Sequence, residues 1–107
     1  MISSNDVKTK IVGIIVEIYN ERIISTTMGN DTLQNETEME VLYNLYTNIK
    51  NLQSTHEKVS DSIFSTWVMI RLHHILIDMR SEFLDDSNIV TTYDKLANEI
   101  LLRSFID

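Results

Sequence analysis

The chain has 107 residues, enough to bury a core without disulfide or metal staples, and one domain over residues 1–107 is expected. Sixteen acidic residues face nine basic ones, for a net charge of −7. Phosphate backbones and anionic membrane surfaces both attract cations, so this balance argues against direct nucleic-acid or membrane binding. It favours a basic protein partner reached by charge-steered association.

There is no cysteine, and therefore no disulfide framework and no thiolate metal site. Residues 1–10 are polar and of mixed charge, unlike a secretory signal, and a cytoplasmic location is expected. The apolar run from Ile11 to Ile18 contains Glu17 and falls far short of the roughly 20 residues that cross a bilayer. Neither Asn-Gly nor Asp-Gly occurs, there is no proline, and apolar residues recur at helical spacing. The expected fold is all-α, a small antiparallel bundle of four or five helices.

The first helix is expected to start at Ser3 or Ser4, with Asp6 at the capping-box position, and to stop at Gly29. Ile11, Ile14, Ile15 and Ile18 mark its inner face. Val12, Val16, Ile23 and Ile24 widen that face and predict heavy burial. Asn35 is the expected N-cap of the second helix, with Glu38 at the box position and Glu36, Glu38 and Glu40 in the first turns, where the helix dipole favours negative charge. Leu42, Leu45, Tyr46, Ile49 and Leu52 form its inner face.

Ser54 with Glu57 predicts the start of a long third helix running to about Leu84, although Ser60, Asp61 and Ser62 offer a second starting point. This segment carries two apolar stripes. One is Val59, Ile63, Trp67, Ile70, His74 and Ile77; the other is Phe64, Val68, Leu72, Ile75 and Met79. Two stripes predict a central helix in contact on two sides. After a break at residues 85–88, Thr91 with Asp94 predicts a last helix whose inner face is Tyr93, Leu96, Ala97, Ile100, Leu101 and Phe105. Across the chain, Ile14, Ile18, Leu45, Ile49, Trp67, Ile70, Leu96 and Ile100 are the expected core.

Motifs that would carry catalysis fail on inspection. His56-Glu57 opens a zinc-protease pattern, but Ser60 stands where the second imidazole belongs. Adjacent His73 and His74 point about 100° apart on a helix and are poorly placed to share a metal, so one buried and one surface histidine are expected. The serines and threonines sit mostly at caps and loops, and no glycine-rich phosphate cradle or nucleophile turn occurs. No enzyme, cofactor or metal site is expected.

Asp78, Glu82, Asp85 and Asp86 crowd the end of the third helix, where like charges one turn apart and the negative dipole end both oppose them. Such a cluster suits a cationic partner and is the first expected contact surface. Glu36, Glu38 and Glu40 are the second. The expected function is a non-catalytic protein-binding domain, an inhibitor or immunity protein covering the active site of a basic enzyme such as a nuclease toxin. A structural or regulatory subunit docking helix against helix, or a DNA mimic, is the alternative.

Overall fold

The computed structural model describes residues 4–29, 32–55, 59–80 and 85–105, with side chains described over 7–29, 32–51, 59–80 and 85–104. The order is α1 (Ser4–Thr27), α2 (Leu33–Thr55), α3 (Asp61–Asp78) and α4 (Asp86–Phe105), with no strand among the described residues. None of these helices is long and apolar enough to cross a membrane.

Gly29 ends the first helix as expected. Its φ of +100° lies in the region that favours glycine, and its N–H donates to the Thr26 carbonyl at 3.1 Å. The start of α2 differs from expectation. Thr32, not Asn35, is the cap: its hydroxyl accepts from the Asn35 N–H at 3.0 Å, and its carbonyl accepts from the Glu36 N–H at 3.0 Å. Asn35 lies one turn inside the helix. Its side-chain amide reaches back to α1, donating to the Arg22 carbonyl at 3.1 Å and to the Thr26 hydroxyl. Both residues can cap, and tertiary contact decides between them.

The third helix is split from the second, not continuous from Ser54. Ser54 lies inside α2, and Ser60 caps α3, with extended backbone and a hydroxyl accepting from the Ile63 N–H at 3.3 Å. The box partner Glu57 lies outside the described residues. At the other end α3 stops at Asp78, with Met79 as its C-cap, short of the expected Leu84, which is also outside them.

The fourth helix begins before Thr91. Asp85 is the N-cap, accepting from the Asn88 N–H at 2.8 Å while its carbonyl accepts from the Ile89 N–H at 3.0 Å. Thr91 is a helical residue that donates its hydroxyl to the Ser87 carbonyl. The earlier start brings Ile89 into the core. Asp85→Ala removes the cap and should cost about 1 kcal/mol. A urea unfolding curve checks this, and an unchanged midpoint contradicts it.

All four helices contribute to one buried cluster, including Ile15 and Ile18 from α1, Leu42 and Leu45 from α2, Phe64 and Leu72 from α3, and Leu96 and Ile100 from α4. Six of the eight expected core residues lie in it. Trp67 and Ile70 do not: Trp67 is half-buried and Ile70 is exposed. Of the two α3 stripes, the one through Phe64, Val68, Leu72 and Met79 faces inward. The other faces outward: Ile63, Ile70 and Ile77 are exposed and Trp67 is half-buried. Near the end of α1, Ile23 and Ile24 are likewise exposed, not buried as their spacing suggested.

Candidate protein-binding surface

Tyr19 of α1 and Tyr43 of α2 meet on the outside of the helix pair. Their ring centroids are 6.4 Å apart and their planes tilted by 45°, within the range of favourable aromatic contact. The pair is shared by two adjoining hollows. One is lined by Tyr19, Leu33, Glu36, Met39, Glu40 and Tyr43. The other runs along Val16, Asn20, Leu42 and Tyr46. Tyr43 and Leu33 are exposed, and neither hollow has a basic residue in its lining. At the groove's edge the Lys50 ammonium lies over the Tyr46 ring, 5.8 Å from the centroid. The groove thus combines apolar area, three phenolic side chains and two carboxylates.

Behind it runs a line of ion pairs joining α1, α2 and α4. Glu38 is only 1% exposed. One of its oxygens accepts from Arg22 Nε at 2.7 Å; the other accepts from Gln34 Nε2 at 2.6 Å and Lys95 Nζ at 3.0 Å. Arg22 Nη2 then donates to Glu99 Oε1 at 2.6 Å. On the same side, Arg103 donates to Glu17 at 2.8 Å and to both oxygens of Glu21 at 2.8 Å. Burial pushes the Glu38 carboxyl up, but the hydrogen bonds from Gln34, Arg22 and Lys95 together outweigh it and hold the group below the ordinary carboxylate range. The hydrogen bond from Arg103 likewise lowers Glu21, against a smaller opposing effect of burial. Burial opposes the charge on Arg22, yet its bonds to Glu38 and Glu99 hold it more firmly protonated than usual.

The chain matches no family model, no curated protein and no solved structure.

The acidic residues singled out in the sequence divide into three groups. Glu36 and Glu40 line the tyrosine groove. Glu38, between them, turns inward into the ion pairs, so its carboxylate does not face solvent. At the junction of α3 and α4, Asp78, Asp85 and Asp86 are exposed, while Glu82 lies outside the described residues. Asp85 and Asp86 have local work there. Asp85 caps α4, and Asp86 lies in its first turn, where the dipole favours a carboxylate, and pairs with Arg80 at 3.3 Å. The cluster belongs to the start of α4 as much as to the end of α3, which removes much of the electrostatic penalty inferred from the sequence.

Both His73 and His74 are exposed, contrary to the expectation of one buried, and the His73 ring meets Tyr93 edge-on at 5.6 Å. Among the described residues no group of three His, Cys, Asp or Glu side chains is arranged to hold a metal ion. Sequence reasoning missed Tyr19 and Tyr43, which carry the groove. The signal available was two tyrosines flanked by carboxylates on neighbouring helices, and it becomes specific only once the two helices are set side by side.

Proposed function

We propose that this chain is a non-catalytic protein-binding domain that neutralises a basic enzyme, such as a nuclease toxin, by covering its cationic active site. The observation carrying this reading is the Tyr19–Tyr43 pair beside Glu36 and Glu40, in hollows lined by no basic residue. Tyrosines supply large contact area at low entropic cost and are enriched among residues that dominate binding energy. Carboxylates beside them attract a lysine- or arginine-rich surface and orient its approach. Arg22, Arg80, Lys95 and Arg103 are each paired with the chain's own carboxylates, and acidic residues outnumber basic ones by seven, which supports a surface field dominated by negative charge.

An antiparallel course for the first two helices is part of the reading. The pairs Arg22–Glu38 and Tyr19–Tyr43 descend along α1 as they climb α2, which supports it.

The test uses a purified cationic nuclease domain encoded beside this chain's gene. Association should slow as salt rises, because the Debye length falls from about 10 Å at 0.1 M to about 3 Å at 1 M. The double reversal Glu36→Lys, Glu40→Lys should slow association at low salt by more than about tenfold, and Glu40→Lys alone, beyond the first turn of α2, should slow it with little change in melting temperature. Tyr43→Ala should speed dissociation, and the bound nuclease should lose activity. Wild-type association by the Glu36, Glu40 variant would remove this groove from the interface. In that case a defect in Asp78→Lys, Asp86→Lys would move the interface to the junction of α3 and α4. Asp85 is unsuitable for that comparison, because replacing it also removes a helix cap. Binding that leaves the nuclease active would sink the inhibitor reading.

A further inference from the structure

The outward face of α3 carries three isoleucines at intervals of seven residues, Ile63, Ile70 and Ile77, which are 48%, 46% and 39% exposed. At 100° per residue a seven-residue step drifts by only about 20°, so the three form one stripe along the helix. Phe64, Val68, Leu72 and Leu76 are buried on the opposite side. Between the isoleucines lie Thr66, half-buried Trp67, His73 and His74. The stripe continues onto α4, where exposed Val90 shares a hollow with Met69, Ile70, His73 and Tyr93.

Two features of this face decide what fits it. The first is charge. From Ser62 to Ile77 there is no carboxylate, in a chain that holds sixteen elsewhere, and Arg71 lies within the same segment. A basic partner would find no carboxylate along this stretch of α3. A second copy of the chain, repelled over most of its acidic surface, would meet the least repulsion here. The second is symmetry. Ile63 and Ile77 lie at equal distances on either side of Ile70, so an antiparallel second copy sets Ile70 against Ile70 and each Ile63 against an Ile77. The three isoleucines occupy one heptad position, and Thr66 and His73 stand where a coiled coil would carry its second apolar row, so the contact rests on the isoleucine row itself. A self-complementary patch of this kind closes a two-fold dimer and leaves nothing to propagate.

We infer that two copies of this chain associate through α3, antiparallel, about an axis passing beside Ile70. The inference uses other helices than the tyrosine groove and stands or falls separately from the proposed function.

Sedimentation equilibrium of the full chain, from micromolar to millimolar concentration, tests it. The mass should rise from 12.5 kDa towards twice that value. Ile70→Glu should keep the 12.5 kDa mass throughout, with unchanged helical circular dichroism; Ile70→Gln, a milder change at the same point, should weaken association at least several-fold. Ile63→Glu should also weaken it, and Ile63→Glu with Ile77→Lys should restore it, because the new carboxylate and ammonium face each other only in the antiparallel register. As the chain has no native cysteine, Ile70→Cys should cross-link two copies on oxidation, whereas Asn98→Cys, exposed on α4, should not. A wild-type chain that stays monomeric at millimolar concentration overturns the inference. So does a dimer indifferent to Ile70→Glu and Ile70→Gln, or a double variant no better than Ile63→Glu alone.

Discussion

Arg22→Met is expected to lower unfolding free energy at neutral pH by about 3 kcal/mol, the lower end of the range for breaking a buried ion pair. The substitution keeps most of the stem that packs between α1 and α2 and removes the charge. Glu38 is then left buried with Gln34 and Lys95, and the Lys95 side chain is about half exposed, so it screens the carboxylate only from one side. Glu99 loses a donor as well. Leaving a buried charge short of partners is costly, whereas removing both partners is cheaper. The double variant Arg22→Met, Glu38→Gln should therefore be more stable than the single one. Urea unfolding measures both, and a single variant within about 1 kcal/mol of wild type would show that the pair contributes little.

The pH dependence has a definite sign. Glu38 and Glu21 have carboxyl groups held below their ordinary value in the folded chain. Their contribution is fully present above the unfolded-state value, near 4.5, and is lost as pH falls through the lower folded values. Wild-type stability should thus decline on acidification below that point. In Arg22→Met the strongest lowering contact on Glu38 other than Gln34 is gone and burial weighs more, so protonation relieves the buried charge. The stability gap between the two proteins should narrow as pH falls.

Phe64→Ala should cost about 3–5 kcal/mol, the range for deleting a fully buried aromatic ring. Phe64 has no exposed surface and is surrounded by the core that all four helices share. Trp67→Ala should cost clearly less despite the larger side chain, since the Trp67 ring is only half-buried and water already reaches part of the space it occupies. Ile70→Ala should cost less again, from its exposed position on the same face. Midpoints of urea unfolding give the order. A Trp67→Ala variant as damaged as Phe64→Ala would place the outward face of α3 against the core after all.

This pair of residues marks the limit of what the sequence made legible. Helical spacing located the inner faces of the first, second and last helices, because each has one dominant apolar stripe there. On α3 the stripe through Trp67 differs from the stripe through Phe64 by a single polar residue, His74, and periodicity alone cannot say which one faces its own chain. Helix starts at Asn35 and Thr91 were displaced because Thr32 and Asp85, an equally good pair of caps, stand one turn and six residues earlier. The acidic positions of the tyrosine groove were visible, but Tyr19 and Tyr43 join them only through tertiary packing. Arg22 was invisible as a structural residue, since its partners are 16 and 77 residues away and no local pattern connects them.

Those two separations also set an order of assembly. The bond to Glu38 is available as soon as α1 and α2 fold back on each other, and closing so short a loop is entropically cheap. The bond to Glu99 waits until α4 arrives from the far end of the sequence. Arg22 is therefore a half-satisfied cation in any early α1–α2 hairpin and a fully satisfied one only at the end, which couples docking of the last helix to the first. With no proline in the chain, no prolyl isomerisation delays that docking.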